Sequence, residues 1–529
     1  MRTNNSELGG APEVQGWWNR RGCIAGAFLL VSLVMNLLCS CFSPIASLVL
    51  TTDPACFYMQ GHAWAEGMVP YVDFVDVKGP LLFFLYRLAS MLTPGSTLGC
   101  YLMYSCAGAA SLYLAYRTGV VLLKDRGKAF VAAMAMLPVM FWWQTYGGGG
   151  ESEELMAPFF ALLLYAWFRY MERGEGRYTL QALSACVGLG AGVTLLIKYN
   201  CTFVFAVACM VLAVSLIFRG RWKSFCTKCF PWVAVGFAVV VAPFAAYLWG
   251  TGTLQACWDV YVVMNFSTYF GAHSPYSTGS GLTKVVSYAE MLLRCREGLW
   301  ASVSLLAACF YPYSLRRDTV RCTMLLFLLF AAMFSCLGRF HDYYLLFCTP
   351  ACIVPVVFVF RHLAVGTGRM TACLLALSFM YMAVRANGQW AVRAPMRVTQ
   401  KLDGNVAKAE KEICSMMHPK ILYLGALDRG FGVSAGALPA CPEWCTLNGV
   451  DDAFMERQRQ AVIQRKADFI VVLTLWNGTV PEFSAGGRLG YSSRNDALCE
   501  ANGYTKVCTF ADGKHSSGVY SLYSRKKGE

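Results

Sequence analysis

Long apolar runs recur along this chain, and the loops between them alternate in charge. Runs suited to crossing a membrane fall at roughly 23–50, 98–123, 128–145, 155–170, 179–197, 200–218, 230–249, 298–315, 322–337, 343–360 and 370–386, judged against the roughly 20 residues a perpendicular helical crossing needs. Arg20 and Arg21 precede the first run, and Lys124, Arg126 and Lys128 follow the second. Arg169, Arg173 and Arg177, then Arg219, Arg221, Lys223 and Lys228, then Arg316, Arg317 and Arg321, and finally Arg361 and Arg369 mark the later loops of the same set. Every second loop is basic, as expected where basic loops stay in the cytoplasm. About eleven crossings then place the N-terminus in the cytoplasm and the chain's end outside. The expectation is a multi-pass plasma-membrane protein.

Composition agrees. Of 529 residues, 57% are hydrophobic and 14% charged, where a soluble protein carries about 25% charged residues. The net charge of +14 comes from short clusters between apolar runs, so nucleic acid is not an expected partner. The first run is too long for a signal-peptide core and reads as a retained span. Most of the 24 cysteines lie inside apolar runs such as "LLCSCFS", where a thiol behaves as a small hydrophobe. Cys414, Cys441, Cys445, Cys499 and Cys508 lie in the polar tail, with any pairing open.

The pattern divides the chain into a membrane part, 1–387, and a small α/β domain outside the membrane, 388–529. The membrane part has a first outer loop at 51–97 and a long outer loop at 250–297, rich in aromatic and turn-forming residues and suited to a lid. Within the first loop, "LLFFLYRLASML" is too short to cross and suits a helix at the interface, with Arg87 reaching the headgroups. In the tail, "KILYLGAL", "ADFIVVLTLW", "YTKVCTF" and "GVYSLYSRK" read as strands and "DDAFMERQRQAVIQRKA" as an amphipathic helix.

The outer loops hold the acids: Asp53, Asp73 and Asp76, then Glu151, Glu153 and Glu154, then Asp342. They also hold Lys78, Arg87, Lys198 and Arg339, the cations that depart from the charge rule. Singly, Asp53 could cap a helix, Asp73 and Asp76 could be solvated, Glu153 and Glu154 could sit at a helix N-terminus, and each cation could snorkel. Together they fit one polar cavity at the membrane surface. A carboxylate there can accept a proton from a hydroxyl, and lysine or arginine can hold a phosphate. The six histidines show no metal-ligand spacing, and no metal or other cofactor is expected. "GLGAG" at 188–192 lies within a span and suits close helix packing. "GGGG" at 147–150 suits either a close backbone approach or a turn.

The first outer loop has the pattern D-x4-Y…G-x-A-x-x-x-G-x-x-P-Y-x-D-x-x-D-x-K-G-P from Asp53 to Pro80. This resembles membrane glycosyltransferases of the GT-C fold, nearest to the protein O-mannosyltransferase and aminoarabinose transferase superfamily of bacterial cell-surface type. "GGGGESEELMAPFF", "GVTLLIKYN" and "GRFHDYYLLFCTP" resemble further elements of that superfamily, in the right order. The resemblance implies that Asp53 is catalytic and that Lys78 faces a donor phosphate. It aligns Glu153 and Glu154, Lys198, Arg339, Tyr343 and Tyr344 with its substrate-binding positions, and Asp73 and Asp76 join them as candidate acceptor-binding or lysine-orienting groups. Two departures stand out: Pro54 follows Asp53 where many relatives carry Glu, and Asp342 precedes the tyrosine pair where His is expected. The implied activity moves a hexose or pentose from a polyprenyl-phosphate donor to a glycan, lipid or protein acceptor of the cell envelope, with membrane lipids as surroundings. A transporter or flippase for a lipid-linked sugar, and a polysaccharide polymerase or ligase, are the alternatives.

Overall fold

The computed structural model describes residues 21–46, 52–141, 146, 148–173, 178–265, 342–362, 377, 404–428, 430–446, 452–476, 494–511 and 518–525. The expected spans at 298–315, 322–337 and 370–386, most of the long outer loop, and the boundary at 388 lie outside the described residues, apart from Leu377.

Helix α1 (Arg21–Cys39) is followed by α2 (Thr52–Ala65), α3 (Pro80–Leu92), α4 (Leu98–Leu123) and α5 (Arg126–Met134). Next come α6 (Ser152–Arg173), α7 (Thr179–Ile197), α8 (Thr202–Phe218) and α9 (Phe230–Gly250). Among the described residues, five helical segments are long and apolar enough to cross a membrane: Gly22–Cys39, Leu98–Leu123, Thr179–Ile197, Tyr199–Phe218 and Trp222–Gly250.

Three expected runs are helical over less than their apolar length. The first ends at Cys39 rather than continuing to 50: the Ser43 hydroxyl donates to the Leu37 carbonyl at 2.6 Å, and Pro44 cannot extend the helix. The run at 128–145 breaks after Met134, with Pro138 opening a separate short turn at Leu137–Met140. The run at 343–360 begins as a tight 3₁₀ segment, Asp342–Cys352, before α10 (Ile353–His362).

Helices α7 and α9 pack through glycine. A Cβ on Gly188 would stand 2.0 Å from the Val233 carbonyl oxygen, and one on Gly236 would stand 2.3 Å from that of Ala185. The "GLGAG" stretch therefore lets two backbones meet.

The tail begins with α11 (Gly404–Ile413) and β1 (Lys420–Leu424). It continues through β2 (Leu438–Pro439), α12 (Asp452–Ile463), β3 (Phe469–Trp476), α13 (Arg494–Ala501), β4 (Tyr504–Ala511) and β5 (Gly518–Arg525). The strands form one mixed sheet in the order β2-β1-β3-β5-β4. β1 and β3 are parallel, and β5 runs antiparallel to both β3 and β4. Leu422, Leu424, Ile470, Val472 and Tyr523 are fully buried on one side of the sheet, and Ile421, Tyr423, Val471 and Leu522 on the other. A strand buried on both faces reads as a continuous apolar run, which is why "FIVVL" was legible. The tail cysteines form no disulfides.

The sheet region packs onto the first loop. The Val75 amide donates to the Pro442 carbonyl at 3.0 Å, and the Cys56 and Cys445 sulfurs are 3.8 Å apart.

Candidate active site

Asp53 lies in the first turn of α2, followed by Pro54. Proline with an acid nearby suits a helix start, where no donor is lost and the macrodipole favours negative charge. The helix is locked from two sides. A Cβ on Gly61 would stand 2.3 Å from the Cβ of Tyr86, so α2 and α3 cross in direct contact. Tyr86 and Tyr104 both donate to the Gly150 carbonyl, at 3.1 and 2.8 Å. Gly150 has φ +89, and a Cβ there would stand 2.7 Å from Pro54 Cγ. The glycine run thus makes a close backbone approach to the helix start beside Asp53, carrying Glu151 with it.

Lys78 arrives from the loop that follows α2. Its backbone carbonyl accepts from the Tyr71 hydroxyl at 2.8 Å, and the Val77 carbonyl accepts from Asn265 Nδ2 at 2.8 Å. The Lys78 ammonium stands 5.9 Å from the Phe57 ring centroid, and Phe57 is one helical turn from Asp53.

Lys198 caps α7 in extended conformation. Its ammonium is ion-paired with Glu153 at the start of α6, the two side chains 11% and 1% exposed. The same ammonium lies 3.5 Å from the Tyr344 ring centroid and 5.5 Å from that of Tyr343, a cation–π placement. Burial opposes the charge on Lys198, and Glu153 and Tyr344 outweigh it, leaving the ammonium more basic than an ordinary lysine.

These segments share one electrostatic neighbourhood. The Asp53 charge acts on Asp76, on Glu151 and on Tyr343. Desolvation pushes the Asp76 carboxyl up; Lys78 and the Gln60 amide, which donates to it at 2.6 Å, pull it back, and Asp53 adds to the rise. Desolvation first, and then Asp53, Glu153 and Glu154, push Glu151 well above the usual carboxylate range, with Lys198 opposing. Crowded carboxylates resist ionising together.

Three side chains named from the sequence face elsewhere. Asp73 closes its own turn, accepting from the Val69 amide at 2.6 Å. Glu154 accepts from the Glu151 amide at 3.1 Å and lines a small cavity with Asn36, Tyr104, Ser111, Tyr146 and Thr349. Arg87 stacks on Trp64, 5.3 Å from its ring centroid. Arg339 lies outside the described residues, as does the Asp342 side chain. Glu151 and Gln60 were not singled out as site residues from the sequence. Glu151 lay in plain view beside Glu153; Gln60 carried no signal, because nothing local shows that it meets Asp76.

The model of the dolichyl-phosphate-mannose-protein mannosyltransferase family matches residues 77–249. The fold of ArnT from Cupriavidus metallidurans, solved bound to undecaprenyl phosphate, superposes with a TM-score of 0.60 at 12% identity, covering 96% of this chain and 98% of that one. The chain has the GT-C fold. The apo structure of the same ArnT superposes with a TM-score of 0.56, also at 12% identity, over 94% and 97% of the two chains. Among curated proteins no sequence matches this chain. With its apolar helices, the GT-C fold makes this a membrane protein.

Proposed function

We propose that this GT-C chain is a glycosyltransferase that moves a sugar from a polyprenyl-phosphate donor to a hydroxyl of a cell-envelope glycan, lipid or protein at the outer face of the membrane. Asp53 accepts the proton of the acceptor hydroxyl. The oxygen forms a bond to the sugar C1 as the C1–O bond to phosphate breaks, and the electron pair leaves on the phosphate oxygen. Lys78 neutralises that phosphate, and Arg339 adds charge to the same group. Lys198, anchored by Glu153 and Tyr344, offsets part of the negative charge that Glu151 and Asp53 bring to the site. Asp76 and Gln60 hold the loop that presents Lys78.

The convergence of three distant segments supports this reading: α2 with Asp53, the loop with Asp76 and Lys78, and the Glu151–Glu153–Lys198–Tyr343 cluster within reach of the same charge. A carboxylate beside a lysine at the edge of apolar helices suits a donor whose phosphate sits at the surface and whose tail lies in lipid. The similar ArnT was solved with undecaprenyl phosphate, a carrier of this class. In this reading the tail from 388 lies outside the membrane and braces the first loop.

The test is transfer by purified protein from a panel of polyprenyl-phosphate sugars to envelope acceptors. Sugar transfer lost in Asp53→Asn supports the proposal. Failure with every donor, together with movement of lipid-linked sugars across liposomes, would instead establish a flippase.

A further inference from the structure

His62 and Glu66 are four residues apart at the C-terminal end of α2, so they share one helical face; the Glu66 amide still donates to the His62 carbonyl at 3.0 Å. His418, which leads into β1, comes down beside them. One ligand atom from each of His62, Glu66 and His418 lies within 4.8 Å of the other two. The two imidazoles are nearly parallel, 9° apart with centroids 6.5 Å apart. The linear spacing of the histidines hides this arrangement, because the third ligand comes from the opposite part of the fold.

Three details suit a ligand. The His62 ring is 4% exposed, and its Nε2 has no hydrogen-bond partner; the Gly436 backbone lies beside it, close enough to act on its charge but outside hydrogen-bonding geometry. Its other nitrogen, Nδ1, is 3.0 Å from the Ser90 hydroxyl on α3. When Nδ1–H donates to that hydroxyl, Nε2 is left with its lone pair, the usual support of a metal-binding histidine. Gly436 keeps the space open: it has φ +65, and a Cβ there would stand 3.1 Å from His418 Nδ1 and 3.2 Å from His62 Nε2. His418 itself is held at φ +50 ahead of Pro419, a conformation that a non-glycine residue keeps only where its surroundings enforce it.

We propose that His62, Glu66 and His418 bind a divalent transition-metal ion, zinc by its ligand chemistry, and so clamp the C-terminal sheet onto α2. Two imidazoles and a carboxylate are a zinc donor set with a fourth position left to water. Glu66 and His418 are exposed and can close the remaining gap to the ion. The clamp would act on the helix that carries Asp53, one of whose neighbours, Cys56, already meets Cys445 of the tail. Its existence does not depend on the transfer activity.

The experiment uses the full chain in detergent, stripped with a chelator and titrated with zinc chloride. Wild-type protein is expected to bind one equivalent and to unfold at higher temperature when loaded. His418→Gln and His62→Gln should each lose that equivalent. Ser90→Ala, which frees the His62 ring, should weaken binding by roughly 10–100-fold. Because the His62 variant could misfold, the wild-type protein supplies a second readout: zinc should shield exposed His418 from diethylpyrocarbonate, followed by mass spectrometry. Zinc binding unchanged in His418→Gln, or His418 equally modified with and without zinc, would overturn the proposal.

Discussion

The Gly79 amide donates to the Ile197 carbonyl at 3.1 Å, joining the loop after α2 to the end of α7. The residues next to this bond are Lys78 and Lys198, so one backbone hydrogen bond brings together two cations that the chain places far apart. The fit leaves no room for a side chain: a Cβ on Gly79 would stand 2.2 Å from the Leu196 carbonyl oxygen. The clash is with backbone, which cannot swing aside. Gly79→Ala is therefore expected to lose roughly 1–3 kcal/mol of stability, as overpacked sites do, and to lower turnover by displacing Lys78. Unfolding and transfer assays on the same preparation check it. Wild-type values in both would remove this contact from the account.

Asp53 and Lys78 should fail differently. Asp53→Asn keeps its shape but cannot accept a proton, so donor binding should survive while turnover falls by roughly 10²–10⁴. Lys78 meets the phosphate both in the bound donor and in the leaving group. Lys78→Ala should weaken donor binding and turnover together, and Lys78→Arg should restore only part, because a planar fork replaces a point charge. Donor titration and single-turnover rates separate the two. Full turnover in Asp53→Asn would end the claim for Asp53 as the base.

The buried Glu153–Lys198 pair offers a thermodynamic test. Removing one partner strands a charge at sites 1% and 11% exposed, which costs about 3–5 kcal/mol. Glu153→Gln and Lys198→Met should each show that loss in denaturation. The double variant should recover most of it, because no isolated charge remains. Additive losses would mean that the two side chains act independently.

Glu151 should make stability depend on pH. Its folded-state carboxyl titrates well above the usual range. The native state therefore binds its proton more tightly than the unfolded chain does. That contribution is complete below the unfolded value, about 4.3, and is lost as pH rises through the folded value. Glu151→Gln removes the effect, so the variant's advantage over wild type should grow with rising pH. Unfolding midpoints from pH 4 upward measure it. A constant difference between the two proteins would contradict the crowding described here.

Topology is testable with a native residue. Cys226 is exposed and lies among the basic residues Arg219, Arg221, Lys223 and Lys228, in the first turns of the helical segment Trp222–Gly250. An impermeant maleimide should leave it unmodified in intact cells and label it after permeabilisation, with mass spectrometry locating the label. Labelling in intact cells would invert the proposed orientation.

Whatever depends on neighbours along the chain was readable from the residues alone. Apolar runs and basic loops gave the membrane class, because burial in lipid is decided over about 20 consecutive residues. Buried strands and an amphipathic helix gave the tail's elements, because periodicity is local. The motif around Asp53 and Lys78 was legible for the same reason. Which carboxylate meets which cation was not. Glu153 and Glu154 are adjacent in sequence but about 100° apart around the helix, so one pairs with Lys198 and the other turns to its own helix start and a neighbouring cavity. The approach of Glu151 to Asp53, the burial of Asp76 against Gln60, and the arrival of His418 beside His62 all depend on helix rotation and on glycine contacts such as Gly61, Gly79 and Gly150. Those contacts join segments distant in sequence, and only the packed chain decides them.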